Sequence, residues 1–580
     1  MTKNKSDFDI SIRIAGEAGQ GIQTIGALLC RIIRNNGWEF IANQDYMSRV
    51  RGGNNSYSVR ISHKRVGSLK SNIDIFLPLN AQSVGLHRGS LKTGGRIVLD
   101  KNRLAPNESD VSFFDVPLRD IALKQGDALF AGSVALGAIS GILGIHGGII
   151  ERTVKDFFAS KGPAASEGNV ACWREGYDLG KKEPYFSGEM PAQPGSSRVL
   201  CDGNEAVALG AVYAGCRFYS GYPMTPSTTI METMAGFSNE IPLIVEQAED
   251  EIAAINMVIG ASYAGVRAMT ATSGGGFALM TEGVSLAAML ETPVVIVNGQ
   301  RPAPATGLPT KTEQADLDLV LHAGHGEFAR AVYAPGNLEE AFELTVRAFD
   351  VADRFQIPVI ILTDQYLADM VTPAALPGND LPRVRHVLPR SVPEADGPYL
   401  RYKLTETGIS PRAVPSWISG VIYADSDEHT EEGHITEDGA LRTAMVDKRF
   451  TNKMMLLAKE VIAPYSKNIA QARFIVLGFG STKGVIEEVC EAFEQEKVGC
   501  IHFPQVWPFP SEALALLLAQ APGAHLITVE NNAAGQLARL IQRETGIVIE
   551  GSIKKYDGRP FTYDDLFTRL EEYRRTHGTI

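Results

Sequence analysis

From Phe8 to Ala15 apolar and polar residues alternate (FDISIRIA), a glycine cluster follows, and from Ile22 to Ile33 the apolar positions recur at helical spacing (IQTIGALLCRII). A period of two giving way to one near 3.6 predicts strand, glycine-rich turn and helix. Further strand-like runs follow at SYSVRIS, DIFLPL and RIVL, and GEMPAQPGSSR near residues 188–198 has the composition of a linker. Beyond it, helical patterns such as NEAVALGAVYAG and EDEIAAINMVIGASYAG alternate with the short apolar runs PLIVE, RAMTATS, PVVIVN and IPVIILTD. That alternation predicts an α/β layered fold with a mostly parallel sheet. Residues 386–465 turn polar, Pro-containing and charge-dense, which predicts an extended insertion or linker arm. Strand and helix alternation resumes at RFIVLGFGS, GVIEEVCEAFEQ, HLITVEN and GQLARLIQRE. The expected division is 1–195, 196–385, 386–465 and 466–580. Neither a tandem repeat nor a heptad run interrupts it, which excludes solenoids and coiled coils.

A length of 580 residues exceeds what one core supports, in keeping with several domains. With 44% hydrophobic and 21% charged residues the chain has the profile of a globular protein. A formal charge of -12 argues against a nucleic-acid partner, which would require clustered Lys and Arg. The six cysteines include no CxxC pair, so this chain by itself is not expected to hold an iron–sulfur cluster. Buried, reduced thiols and a polar N-terminus without a signal-type apolar core predict a cytoplasmic location. Ala128 to Ile150 carries no Asp, Glu, Lys or Arg. Its many glycines favour close helix packing over a membrane span.

Candidate chemistry lies at strand ends. Gly16, Gly19 and Gly21 follow the first strand, where backbone amides can approach a phosphate at a helix N-terminus, or where a tight turn needs no ligand at all. Arg49 and Arg51 lie in the next glycine-bearing turn, MSRVRGG, which fits either an anion contact or an ordinary surface turn. Tyr222, Pro223, Met224, Thr225 and Pro226 form a rigid turn before a helix that Ser227 or Thr228 can cap. Capping leaves two prolines around Thr225 unexplained. Among the acids of EQAEDE, most suit a helix N-terminus, whereas Glu251 adjoins a run of small apolar residues that reads as buried on most faces. A buried carboxyl can share a proton with a ligand nitrogen. Ser273, Gly274 and Gly275 follow the strand RAMTA, where glycines admit a flat ring or simply a neighbouring helix, and Arg301 ends the strand PVVIVN with two prolines fixing its loop, placed to fork onto a carboxylate or to be a solvated loop arginine. His429 and His434 among Asp425, Asp427 and Glu428 suit a charged arm surface better than a metal site, and no metal ligand set is expected.

In this order, YPMTPST, EQAEDEIAAI, ATSGGG and QRPAPATGLPTKTEQ resemble the alpha subunit of the 2-oxoacid:acceptor (ferredoxin) oxidoreductase family. The leading GEAGQG and MSRVRGGNNSYSVRIS resemble that family's gamma domain, fused in front, and the arm DEHTEEGH and tail KYDGRPF resemble its 2-oxoglutarate branch. The resemblance implies a multi-domain α/β protein: a pyrimidine-type, thiamine-diphosphate-binding parallel-sheet domain, a fused gamma domain and a C-terminal transketolase-C-like domain. It implies that Glu251 activates the aminopyrimidine of thiamine diphosphate, with Tyr222, Pro223, Thr225, Ser273, Gly274 and Gly275 around the cofactor. Thr225 and Arg301 would contact the substrate carboxylate, with Thr310 and Lys311 nearby. Gly16, Gly19, Gly21, Arg49 and Arg51 are the coenzyme A candidates. Met224 stands where the family has isoleucine, and SGGG where SGPG is common.

The family's diphosphate and Mg2+ motif and the CxxC ligands of a [4Fe–4S] cluster are missing from this chain. A beta subunit carrying them is therefore implied, in an (alpha–beta)2 assembly with ferredoxin as acceptor. The implied reaction is coenzyme A-dependent oxidative decarboxylation of 2-oxoglutarate to succinyl-CoA, or the same chemistry on pyruvate or another 2-oxo acid. A noncatalytic nucleotide-binding regulatory subunit is the alternative from another class.

Overall fold

The computed structural model describes residues 8–48, 52–104, 113–186, 198–376, 399–415, 417–418 and 421–577. The chain divides into two compact units: residues 1–201, 370–375 and 562–580 form the first, and residues 202–369 and 376–561 the second.

The first unit is built on a mixed sheet of β1 (Asp9–Gly16), β2 (Glu39–Asp45), β3 (Asn55–Ser62), β4 (Ile73–Pro78), β5 (Leu91–Leu99) and β6 (Phe113–Asp115), in the order β2-β3-β1-β4-β5-β6. β1 runs parallel to β4 and antiparallel to β3. The helix Ile22–Asn35 starts from Gly21, whose left-handed φ of 79° suits glycine. The charge-free stretch folds as two separate helices, Ala131–Leu143 and Gly147–Phe158. Gly137 and Gly141 face Gly176 and Gly180 of the helix Pro163–Gly180 so closely that a Cβ on any of them would overlap a backbone carbonyl of the facing helix. Glycine there serves backbone contact between helices. Among the described residues no helix is long and apolar enough to cross a membrane.

The short β7 (Val199–Cys201) closes this unit's first stretch of chain. The second unit then opens with β8 (Phe218–Gly221), β9 (Ile244–Gln247), β10 (Ala268–Ser273), β11 (Val294–Gln300), β12 (Ala331–Tyr333) and β13 (Pro358–Asp364). They lie parallel, in the order β12-β13-β11-β10-β8-β9. β10, β11 and β13 are buried at every position, as strands covered on both faces must be. After β13 the chain returns to the first unit, where β14 (Thr372–Ala374) pairs with β7 and Thr372 bonds the Phe40 carbonyl at 2.7 Å.

A second sheet of the second unit comprises β15 (Tyr465–Lys467), β16 (Phe474–Phe479), β17 (Val498–Phe503), β19 (His525–Glu530) and β20 (Gly551–Lys554). β18 (Gln505–Trp507) leaves it to pair antiparallel with β12. A single apolar core runs from Ile296 and Ile360 to Ile475 and Phe503, joining the two sheets. The helix Tyr563–His577, read from sequence as the end of the C-terminal segment, packs in the first unit: Tyr563 donates its amide to the Leu69 carbonyl and Asp564 accepts from the Ser71 amide.

The arm is tied down by charge. Glu291 is fully buried and pairs with Lys448 and with Lys453, the latter at 2.7 Å, while Arg401 bonds the Glu291 carbonyl at 2.8 Å. The described residues between 399 and 460 are thus held to the core by compensated charges rather than by apolar periodicity.

Candidate active site

Strands β8, β9, β10, β11 and β13 of the second unit run parallel, and the candidate residues lie at or beyond the carboxyl ends of β8, β9, β10 and β11. Open α/β sheets bind ligands there. The turn after β8 is not held as its serine suggests, because Ser227 does not cap the next helix and its hydroxyl bonds the Met224 carbonyl at 2.9 Å. Asn204 fixes the turn instead, donating to the Pro226 carbonyl at 2.7 Å and to Thr229 at 2.5 Å. Gly299 makes room for Pro226, since a Cβ there would sit 2.9 Å from the proline ring. The Thr225 carbonyl points into the site and accepts from Nη1 of Arg301 at 2.6 Å. Tyr222 is 40% exposed beside it, and Pro223 is half-buried.

Asp250 caps the helix Glu251–Tyr263 by accepting from the Ala253 amide at 2.7 Å. The adjacent Glu251 is only 3% exposed, and its Oε1 has no hydrogen-bond partner among the described residues. Gly276 lies directly against it, because a Cβ there would overlap both Glu251 Oε1 and Thr272 Oγ1. Thr272, Ser273 and Asn298, buried at the ends of β10 and β11, also carry unpartnered oxygens. A buried oxygen without a partner costs about 1–3 kcal/mol, so such a group is retained where a ligand completes it. Contrary to the sequence expectation, the helix is not buried on most faces: Ile252 and Met257 are exposed. Its apolar composition covers two faces, of which this chain buries one.

Arg301 follows β11. Burial pushes its guanidinium below its usual range, opposed first by Asp316 and then by Glu251, and it makes no ion pair with either. Asp316 was not anticipated from the sequence, where an aspartate before LDLVLH reads as a helix cap. Its side chain caps nothing and turns toward the glycines, where a Cβ on Gly274 would overlap its carboxylate. Asn298 donates to it at 3.3 Å, and the side chain of Gln300 accepts its amide at 3.0 Å. Burial pushes Asp316 up to about 6, against the Asn298 hydrogen bond and the Arg301 charge. Ser273 is wholly buried, whereas a Cβ on Gly275 would meet nothing within 4 Å. Thr310 is buried and Lys311 half-buried in the loop leaving Arg301. That loop is anchored from the tail, since the Thr312 amide bonds the Gly558 carbonyl at 3.2 Å.

In the first unit Gly19 and Gly21 both have left-handed φ, and Gly16 sits tightly against Gln20 and Leu79. Gly19, Gly21, Thr24, Arg103, Arg119 and Lys161 border a cavity of about 820 Å³. Arg49 and Arg51 lie outside the described residues. His429 is buried against the Tyr402 ring, 4.0 Å between centroids, and its Nδ1 meets the Asp427 carbonyl at 2.9 Å. Among the described residues no group of three or more His, Cys, Asp or Glu side chains is arranged to hold a metal ion.

A strand-end site with a buried orphan carboxyl under a glycine turn defines a class: residues 209–448 match the family described as pyruvate flavodoxin/ferredoxin oxidoreductase, thiamine diphosphate-binding, and residues 11–179 match pyruvate ferredoxin/flavodoxin oxidoreductase. The alpha subunit of 2-oxoacid:ferredoxin oxidoreductase from Sulfolobus sp is 32% identical, covering 95% of this chain and 95% of that protein. The 2-oxoglutarate synthase subunit KorA of Methanothermobacter thermautotrophicus is 35% identical over 59% of this chain and 89% of its own. The solved 2-oxoglutarate:ferredoxin oxidoreductase of Magnetococcus marinus, with 2-oxoglutarate, coenzyme A and succinyl-CoA bound, superposes with a TM-score of 0.90 at 32% identity, covering 97% of this chain and 99% of that one. This chain belongs to the 2-oxoacid:ferredoxin oxidoreductase alpha-subunit family.

Proposed function

We propose that this subunit oxidatively decarboxylates 2-oxoglutarate, transferring the succinyl group to coenzyme A and the electrons to ferredoxin. The observation that carries the reading is the Glu251 carboxyl, buried with Oε1 unpartnered under Gly276 in a site that also holds Arg301 and Thr225. The bound relative from Magnetococcus marinus and the KorA relative favour 2-oxoglutarate over pyruvate.

The orphan oxygens of Glu251, Ser273 and Thr272 fit the polar edge of an aminopyrimidine, and the glycines of the turn leave room for a flat ring. Thiamine diphosphate, when bound, supplies the electron sink for decarboxylation. Glu251, with its buried and unpartnered Oε1, would hold the aminopyrimidine and exchange a proton with it. Arg301, steadied by the Thr225 carbonyl, keeps guanidinium donors for the substrate carboxylate, and Thr225, Tyr222, Pro223, Gly274 and Gly275 shape the surrounding wall. Thr310 and Lys311 lie in the loop that leaves Arg301. The cavity at Gly19 and Gly21 in the first unit, with its three cationic side chains Arg103, Arg119 and Lys161, suits the phosphates of coenzyme A, and Gly16, Arg49 and Arg51 are the further candidates.

A beta subunit would carry the Mg2+, the diphosphate contacts and the [4Fe–4S] cluster, in an (alpha–beta)2 complex of the cytoplasm. The exposed Ile252, Met257 and Leu279, flanking the site, suit an apolar partner surface. The test is reconstitution with the beta subunit and viologen reduction with 2-oxoglutarate, pyruvate and 2-oxobutyrate in the presence of coenzyme A. Highest kcat/KM on 2-oxoglutarate is expected. Preference for pyruvate would overturn the substrate assignment, and reduction by none of the three would overturn the activity.

A further inference from the structure

Asn204 lies in the first turn of the helix Gly203–Tyr213 and is 2% exposed. The backbone of that turn is rooted on both sides. Asp202 accepts from the Glu205 amide at 2.8 Å and the Glu205 carboxylate accepts from the Asp202 amide at 2.8 Å, while a Cβ on Gly203 would overlap the Leu367 carbonyl. A side chain projecting from such a turn is a fixed strut. Its amide nitrogen donates to the Pro226 carbonyl at 2.7 Å and to the Thr229 hydroxyl at 2.5 Å. A carbonyl can only accept, so the nitrogen of the Asn204 amide and not its oxygen faces Pro226.

Pro226 is buried and held at two points, its own carbonyl by Asn204 and its ring by β11, where a Cβ on Gly299 would come within 2.9 Å of it. The Thr225 carbonyl shares a planar peptide unit with the Pro226 ring nitrogen, and the ring fixes φ, so holding Pro226 at both points also directs the Thr225 carbonyl. That carbonyl accepts from Nη1 of Arg301 at 2.6 Å. An unbroken series of contacts therefore runs from Asn204 through Pro226 and Thr225 to the guanidinium.

We infer that Asn204 is a positioning residue for 2-oxo acid binding: by holding Pro226 it fixes the carbonyl that steadies Arg301, and so sets the direction in which the remaining guanidinium donors meet the substrate carboxylate. This rests on the reading of Arg301 as the carboxylate fork. A planar fork engages a carboxylate bidentately only over a narrow range of angles, so a guanidinium released from its carbonyl binds the substrate more weakly. An interaction lost equally from bound substrate and transition state raises KM and leaves kcat.

The experiment is steady-state kinetics of the assembled alpha–beta enzyme with 2-oxoglutarate and coenzyme A, for wild type, Asn204→Asp, Asn204→Ala, Arg301→Lys and the double variant Asn204→Asp with Arg301→Lys. Asn204→Asp keeps the side-chain shape but turns an oxygen toward the Pro226 carbonyl, and Asn204→Ala removes the strut. Each is expected to raise KM for 2-oxoglutarate roughly tenfold, the scale of one lost hydrogen bond, with kcat and the KM for coenzyme A within about twofold of wild type. A general loss of structure would lower kcat or move both KM values, so this split separates positioning from stability. In the double variant KM stays close to that of Arg301→Lys, because Asn204 acts through the guanidinium alone. A wild-type KM in both Asn204 variants overturns the inference, as does a loss confined to kcat, a double variant in which the two effects multiply, or failure of both Asn204 variants to assemble. The reading of Arg301 fails separately, by a wild-type KM in Arg301→Lys, and the functional reading fails by absence of wild-type turnover of 2-oxoglutarate.

Discussion

Gly276 and the Glu251 carboxyl occupy adjoining space so tightly that a methyl group on the glycine would overlap Oε1 of the glutamate. The same methyl would overlap the Thr272 hydroxyl, so the displaced carboxyl has no room to move toward β10. Gly275, one residue earlier, has open space at the corresponding position. Gly276→Ala is therefore expected to lower kcat/KM of the reconstituted enzyme by about 100-fold or more, the scale set by misplacing a catalytic group by an ångström. Gly275→Ala should stay within a few-fold of wild type. Steady-state viologen assays of both variants check the contrast, and equal losses would count against the crowding account.

Glu251→Gln keeps the shape of the side chain and removes its capacity to give and accept a proton. A loss of about 100- to 10,000-fold in decarboxylation is expected, the range of general acid–base contributions. Stability should not fall, because the amide replaces a buried carboxyl that has an unsatisfied oxygen. Full acyl-coenzyme A formation by this variant would remove the assignment of Glu251.

The four helix-facing glycines predict a purely structural defect. In Gly176→Ala the new methyl meets the Val134 carbonyl, and backbone cannot swing aside as a side chain can. Destabilisation of the first unit by about 1–3 kcal/mol is expected, the usual cost of overpacking, measured by chemical denaturation. Gly236→Ala, with nothing within 4 Å, is the control and should leave stability within about 0.5 kcal/mol.

Glu291 governs how the arm responds to acid. Although burial pushes its carboxyl up, Lys453, Lys448 and Arg401 together hold it well below its ordinary value of 4.5. A carboxyl lowered in the folded state contributes stability that is complete above its unfolded value and fades as pH falls below about 4.5. Glu291→Gln leaves two buried ammonium groups without their anion and should cost about 3–5 kcal/mol at pH 7. The variant should also lose part of the wild type's steepness of unfolding free energy between pH 5 and pH 3, read by denaturant titration at each pH.

Much of the site was legible in the sequence because its parts are local. A strand followed by glycines and a helix announces itself by period, so the turns after β1 and β10 and the arginine after β11 could be singled out as candidates from the order of residues. Glu251 was marked by one acid adjoining a run of small apolar residues. The same reasoning misjudged that helix, because composition reports how apolar a helix is and not whether its own chain or another surface covers it. Ser227 misled for a related reason: a hydroxyl at a helix start has two backbone choices, and the Asn204 bonds to Pro226 and Thr229 hold the turn without it.

Periodicity and residue type by themselves determined the α/β layering, the strand-end turns and the chemical kinds of group available there, since each depends on neighbours a few positions apart. Only tertiary structure decided which of those groups meet. It sent β18 into a sheet with β12, returned residues 370–375 and 562–580 to the first unit, and left Glu251 without a partner while giving Asp316 two. Such pairings join residues tens to hundreds of positions apart, where no period operates, and burial and charge compensation in the assembled core select among them.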